Sequence, residues 1–350
     1  MASPPRRTSK HLPNSDRAKP TVSLERKSFS TSRLTCFILF ISSHWTTFDF
    51  TVNPILAFTA NLVAETTYYA DQWSIEATGR AHSERFQVGG KGVNVCKMLQ
   101  RLGGESQALC FPGGPFGTLC EDWLKGRDFP YVGFGTGCIT RSGSVIRVPG
   151  QKETTILGID SQVSLEAVAD CVSYLDGQPK PFYLAFCGVF QDWDSPNWQP
   201  LRDWIGQRDP SIRIAIDTYG PALPWFARQR PDIIKINRQE LETLFDASER
   251  HRSTEELLRN ASALYACPLW IVTDGDAAIH YIEQDRTPRT VLPRTARCLS
   301  ATGCGDVFFA TLLHARVCLP ELTIETAIKR AAEFATRNAE SLEIAEFSLD

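Results

Sequence analysis

The sequence predicts an α/β fold, with a mostly parallel central sheet, helices on both of its faces, and a small second β-sheet acting as a lid. Three observations predict it. Apolar strand-like runs recur, and several are continuous rather than alternating, the pattern of buried parallel strands. Helix-like stretches separate them. Two segments interrupt this alternation with period-two patterning and turn signals.

Taken in chain order, the strand runs fall at 48–53, 107–111, 182–186, 212–217, 232–237 and 269–273. Residues 91–102 place Val93, Cys96, Leu99 and Leu102 on one helical face, and Gly103-Gly104 ends the helix. Residues 241–245, 254–265, 306–317 and 324–340 also read as helices. The stretches 66–88 and 131–159 read as strands that leave the main sheet. Pro149-Gly150-Gln151-Lys152 lies between two β-like runs and predicts a hairpin turn. The organisation is then a basic extension over 1–46 and a single domain over 47–350, with lid segments inserted at about 64–90 and 131–160.

Composition narrows the function classes. A 350-residue chain with 43% hydrophobic residues buries a core large enough to need no disulfide or metal staple. A net charge of −3 excludes a dedicated nucleic-acid binder and a polybasic membrane-surface protein. The eleven cysteines are scattered and contain no CxxC pair, so neither a disulfide framework nor a zinc ribbon is expected, and reduced thiols in the cytoplasm are. Residues 1–33 carry eight Lys/Arg against Asp16 and Glu25, a net of +6, which leaves −9 for the rest. This arm is basic, Ser-rich and acid-poor, as transit-type or non-functional leaders are. The apolar run 34–41 is far shorter than the roughly 20 residues a bilayer span needs.

The chemistry concentrates in two devices. Neither a GxxxxGK[ST] loop nor a GxGxxG fingerprint occurs, and HExxH, GxSxG and HRD motifs are absent as well. What remains is Ser300-Ala-Thr-Gly-Cys-Gly-Asp306, followed by an apolar helix. Backbone N–H groups at Gly303, Cys304 and Gly305 can converge there as an anion hole, assisted by the helix dipole. Asp306 beside that hole is placed to take a proton from an attacking hydroxyl, or merely to cap the helix. The second device, Val88-Gly-Gly-Lys-Gly-Val-Asn-Val95, lets backbone approach a ligand at Gly89 and Gly90. Lys91 adds charge there, and Asn94 adds a donor and an acceptor for a hydroxyl-rich ligand. Cys304 is expected to be packed rather than reactive.

Together these motifs resemble the signatures of the PfkB carbohydrate kinases of the ribokinase-like superfamily. Gly89-Gly-Lys-Gly-Val-Asn-Val95 is similar to the first signature and Thr302-Gly-Cys-Gly-Asp306 to the second. Asn53-Pro54, at the end of the first strand run, resembles the opening of the 1-phosphofructokinase and tagatose-6-phosphate kinase branch. The resemblance implies a three-layer ribokinase-like sandwich, ATP and Mg²⁺ as cofactors, a sugar-phosphate acceptor, and a homodimer paired through the lid. It implies that Asn237 and Glu240, in Lys235-Ile-Asn-Arg-Gln-Glu240, organise magnesium through water. Lys235, Thr273 and Gly275 then approach the nucleotide, and Arg141 in the lid holds the acceptor's phosphate.

The departures lie at the acceptor end. Ala57 stands where the branch has a sugar-gripping aspartate, three residues after the Asn-Pro pair, and Arg141-Ser-Gly143 replaces its Arg-x-Asn. Two alternatives therefore stand beside the sugar-phosphate kinase: a kinase of an unphosphorylated sugar or nucleoside, and a non-catalytic sugar-binding descendant.

Overall fold

The computed structural model describes residues 54–283 and 287–350. The predicted extension over 1–46, the run at 48–53 and Asn53 lie outside the described residues. In chain order the elements are β1 (Ile55–Thr59), β2 (Val63–Tyr69), β3 (Ser83–Gly89), α1 (Lys91–Arg101), β4 (Ser106–Cys110), α2 (Gly114–Lys125), β5 (Tyr131–Gly133), β6 (Arg141–Arg147), β7 (Thr154–Leu157) and α3 (Leu165–Asp176). There follow β8 (Tyr183–Gly188), a 3-10 turn (Pro196–Trp198), α4 (Gln199–Gln207), β9 (Arg213–Thr218), α5 (Ala222–Arg228), β10 (Ile233–Asn237), α6 (Arg238–Glu242), α7 (Thr254–Leu264), β11 (Leu269–Thr273), β12 (Ile279–Glu283), β13 (Arg289–Val291), α8 (Cys304–Cys318) and α9 (Ile324–Ala339).

Among the described residues the main sheet runs β13-β12-β11-β10-β9-β8-β1-β4-β5, and the lid sheet runs β3-β2-β6-β7. From β11 to β5 all neighbours are parallel, while β12 and β13 close one edge antiparallel. The mostly parallel sheet and separate lid agree with the sequence reading. The hairpin turn forms as predicted. Gln151 donates its amide to the Val148 carbonyl at 3.1 Å, with Pro149 second and Gly150 third at φ +77°.

Three expectations change. The first described strand lies at 55–59, so Pro54 directly precedes a strand. The segment 131–159 is divided, because β5 joins the main sheet beside β4 and only β6 and β7 belong to the lid. Helices α2 to α5 were not read at all. Glycine and proline at Gly114-Pro115 and proline at Pro200 obscure the starts of α2 and α4, although proline in a first helical turn loses no intrahelical bond.

Side-chain parity divides the core into two layers. Ile55 and Ala57 of β1 face one layer with α1, α8 and α9, whereas Leu56 and Phe58 face the other with α3, α4, α5 and α7. On the first face Ala57 pairs in register with Ala108 of β4 and Ala185 of β8, and Ala185 pairs with Ala215 of β9. This row of buried alanines lets α1 lie close over β1, β4 and β8. On the opposite face aromatic rings fill the volume. Phe58 lies 5.1 Å from Phe111 and 5.5 Å from both Phe186 and Phe190, centroid to centroid. Replacing Phe58 by Ala should cost about 3–5 kcal/mol of unfolding free energy, read from urea denaturation.

Candidate active site

Parallel strands place their C-terminal ends on one edge of the sheet, and ligands of open α/β sheets bind beyond that edge. Here the edge is marked by Thr59, Gly188, Thr218, Asn237 and Thr273. Asp217 has the parity of Ala215 and Lys235 that of Ile233, so both side chains point toward α1 and α8.

A buried charge cluster results. Asp217 is 0% exposed, and its two carboxylate oxygens are divided between two ammonium groups. Lys91 Nζ lies 2.9 Å from Oδ1, and Lys235 Nζ lies 3.2 Å from Oδ2. Burial alone would raise the Asp217 pKa, but Lys235 and Lys91 outweigh it and hold the carboxyl below its ordinary value. Burial works against the Lys91 charge, yet Asp217, Asp306 and Glu240 together keep that ammonium protonated well above its usual range. Lys91 also lies 5.4 Å from the centroid of the Tyr219 ring.

Asp306 faces this cluster from the first turn of α8. Its Oδ2 accepts a 2.8 Å hydrogen bond from Asn94 Nδ2 on the first turn of α1. Asn94 Oδ1 is buried without a protein partner, so the side chain retains a free acceptor. Burial pushes the Asp306 pKa up to about 6, against the pull of Lys91. Gly303 caps α8 at φ +76°, and a Cβ there would stand 2.6 Å from Ile344. A Cβ on Gly305 would stand 2.9 Å from Lys235 Nζ, so the second glycine gives that ammonium access to the turn. The amides of Gly305 and Asp306 lie in the first turn of α8, where no intrahelical acceptor is available. The Cys304 amide leans on the Ala301 carbonyl at 3.4 Å. Burial raises the Cys304 thiol pKa, with Asn338 acting in the opposite sense, which fits a packed thiol.

Asn237 and Glu240 form a reciprocal capping box, with 2.8 Å bonds in each direction. Glu240 spends Oε2 on that cap, and burial raises its pKa against the nearby Lys91. Among the described residues no group of three or more His, Cys, Asp or Glu is placed to hold a metal ion. One partly committed carboxylate suits a magnesium ion that keeps its waters and leans on phosphate oxygens. Thr273 pairs in register with Asn237, and Gly275 turns the chain just beyond at φ +57°.

The lid end corrects the sequence reading most. Pro54 and Ala57 do not reach the site, since Pro54 precedes β1 and Ala57 belongs to the alanine row in the core. Two residues past the end of β1, Asn61 is followed four residues later by Glu65, repeating the Asn-to-acid spacing sought at Asn53 and Ala57. Glu65 is buried on β2, bonded by Gln87 of β3 and opposite Gly143 of β6. Its Oε2 would lie 3.8 Å from a Cβ on Gly89. Arg141 pairs with Asp160 at 2.7 Å. Asp217, Asn61, Glu65, Asp160 and Tyr219 were all missed. The signal for Asp217 was available, because it closes the apolar run 212–217, and the end of such a buried strand should reach the active edge.

The C-terminal tail connects lid and turn. Glu343 accepts from Tyr69 of β2 at 3.0 Å and from Arg147 of β6 at 2.9 Å, and it pairs with Arg85 of β3 at 3.2 Å. Glu153 of the lid accepts from Ser300 at 3.0 Å and from Thr302 at 2.6 Å. Asn338 donates to the Thr302 carbonyl at 3.0 Å and accepts from the Ala345 amide at 2.8 Å.

Residues 61–346 match the pfkB family of carbohydrate kinases. The chain belongs to that family. The match begins at Asn61, two residues past the end of the first described strand. A 1-phosphofructokinase of Rhodobacter capsulatus is 26% identical over 269 residues, covering 73% of this chain and 81% of that protein. A tagatose-6-phosphate kinase of Staphylococcus epidermidis is 22% identical over 288 residues, covering 81% and 92%. The fold is that of phosphofructokinase-2 from Escherichia coli in complex with fructose-6-phosphate, with TM-score 0.73, 16% identity and coverage of 82% and 94%. Ribokinase from Thermotoga maritima aligns with TM-score 0.64 at 14% identity, covering 84% and 95%. This pfkB protein is therefore a phosphotransferase of the carbohydrate-kinase class with a ribokinase-like fold.

Replacing Asp217 by Asn should leave Lys235 and Lys91 without their paired carboxylate, at a cost of about 3–5 kcal/mol in urea unfolding at pH 7. The native carboxylate has a depressed pKa, so its stabilisation is complete above the ordinary value of about 4 and is lost as pH falls through the folded value. The stabilities of the two proteins should therefore converge in acid. A gap that persists there would contradict the ion-pair assignment.

Proposed function

We propose that the chain transfers the γ-phosphoryl group of ATP to a hydroxyl of a sugar phosphate, as its 1-phosphofructokinase and tagatose-6-phosphate kinase relatives are named for doing. The observation that carries this reading is the placement of Asp306. A carboxylate titrating near pH 6 is fixed by Asn94 beside a glycine turn and two ammonium groups. Phosphoryl transfer asks for little more than positioning, charge stabilisation and a modest base.

Asp306 Oδ1 carries no protein hydrogen bond among the described residues and takes the acceptor's proton. The glycine turn over Gly303, Cys304 and Gly305, chiefly through the uncommitted amide of Gly305 and that of Asp306, receives with the dipole of α8 the negative charge that develops on the transferring group. Lys235 approaches the nucleotide at this turn, because its ammonium lies against Gly305. Glu240, with Asn237 behind it, would hold a magnesium ion, which would supply neutralisation of phosphate charge. Thr273 and Gly275 border the nucleotide. Gly89, Gly90 and Lys91 approach the acceptor, as does the free Oδ1 of Asn94. Glu65 and Asn61 supply the polar contacts that Ala57 does not, and Arg141 receives the acceptor's phosphate. The retention of Asp306 beside a charge-lined turn weighs against a purely sugar-binding role.

The lid supports pairing of two copies. Strand β7 forms one edge of the lid sheet, and Ile156 and Leu157 on it, with Ile159 just beyond, are exposed. The ten cysteines among the described residues are all unpaired, in keeping with a cytoplasmic protein. No helix among the described residues is long and apolar enough to cross a membrane.

The test is ADP release with ATP, magnesium and a panel of fructose 1-phosphate, fructose 6-phosphate and tagatose 6-phosphate. Asp306→Asn should lower kcat by about 10²–10⁴-fold. The native kcat/KM should fall tenfold per pH unit below about 6, as a single proton blocks the base. A variant that retains near-native turnover would remove Asp306 from this role.

A further inference from the structure

Resting on that acceptor reading, we infer that Asp160 is a specificity-determining residue, which occupies Arg141 until the phosphate of an acceptor displaces it. Arg141 begins β6, and its guanidinium is committed twice. Nη1 lies 2.7 Å from Asp160 Oδ1, and Nε donates to the Gly158 carbonyl at 2.8 Å. The Gly158 carbonyl is fixed in turn, because the Gly158 amide continues the β6–β7 ladder by donating to Ser142 at 2.8 Å.

Asp160 is held from its other side by the main sheet. Asn61, just past β1, donates from Nδ2 to the same Oδ1 at 2.6 Å, and its own Oδ1 accepts from the Ser161 amide at 3.1 Å. The Ser161 hydroxyl accepts from the Arg141 amide at 2.8 Å. Arginine, carboxylate and asparagine thus form a closed set across the join between lid and body. The set borders the reacting cluster, since the Asn61 carbonyl would lie 3.0 Å from a Cβ on Gly90, the residue before Lys91. Tyr219, whose ring lies beneath Lys91, feels both Asp160 and Arg141.

The consequence is competition. The Arg141 side chain is 14% exposed and the Asp160 side chain 30%, so the pair is accessible to a ligand but is not bathed in bulk solvent. A phosphate group brings up to two negative charges and three acceptor oxygens and can replace one carboxylate on a guanidinium. A neutral sugar brings nothing that competes, and it meets an arginine already neutralised. Asp160 therefore sets how much of the acceptor-phosphate affinity Arg141 delivers, and it suppresses capture of stray anions.

The experiment compares native protein, Asp160→Asn, Asp160→Ser and Asp160→Asn/Arg141→Ala. Steady-state kinetics use fructose 6-phosphate and fructose, and calorimetry uses inorganic phosphate. Loss of the competing charge should lower both the KM for fructose 6-phosphate and the Kd for inorganic phosphate by about tenfold. The KM for fructose should stay within twofold, and the double variant should lose the gain. A rise in KM for both sugars would make Asp160 a direct hydroxyl ligand and overturn the inference, as would an unchanged Kd for inorganic phosphate. If the native protein turns over no phosphorylated sugar, the acceptor reading fails, while the phosphate calorimetry still decides the role of Asp160. Asp160→Ser keeps the test open should the Asn variant misfold, which its melting temperature reports.

Discussion

The site depends on one buried anion, the Asp217 carboxylate, which is shared by Lys91 and Lys235. Two lysines cannot be placed beside a helix N-terminus and kept charged in a dry interior without a counter-charge. Asp217 supplies it from the floor of the site, on the end of a central strand. The acid opposite, Asp306, has no such pairing and is held instead by a neutral amide. The two carboxylates are driven apart in pKa by this difference in partners, one below its ordinary value and one above it. One becomes a permanent anion that anchors cations, and the other a group able to exchange a proton near neutrality.

Placement of these groups follows from sheet parity and helix termini rather than from any loop. Asp217 and Lys235 sit on rigid parallel strands, while Asn94 and Asp306 sit on the first turns of α1 and α8, which pack together. The row of alanines beneath α1 sets how near that helix comes to the sheet, and so how near Lys91 comes to Asp217. Ala57 belongs to this packing. It is a spacer under a helix, which explains why a carboxylate does not stand there.

Much of this was legible in the sequence. The glycine turns and the helices they open were read because glycine next to an apolar helical pattern has few other uses, and the buried strands from 107 onward were read because continuous apolar runs are distinctive. What was misread lay where a local pattern has two solutions. Asn53-Pro54 and Asn61 each carry part of the same signal, and only the strand register shows which of them ends at the active edge. Asp160 and Glu65 were invisible because their partners, Arg141 and Gln87, lie 19 and 22 positions away in the chain. Nothing local marks a carboxylate whose meaning comes from the opposite strand. Helices α2 and α4 were hidden by prolines, which break a helix in its interior and are harmless in its first turn.

Glu153 carries one more implication. It belongs to the lid, yet its carboxylate ties down the two hydroxyls that flank Ala301 at the approach to the glycine turn. Raising the lid would break this tether, and the segment would keep its bonds from Asn338 to the Thr302 carbonyl and from the Leu299 and Ser300 amides to the Ala339 carbonyl. The posture of the lid and the shape of the receiving pocket are thus one mechanical variable. Cover over the site and the firmness of the receiving turn therefore go together, through one carboxylate.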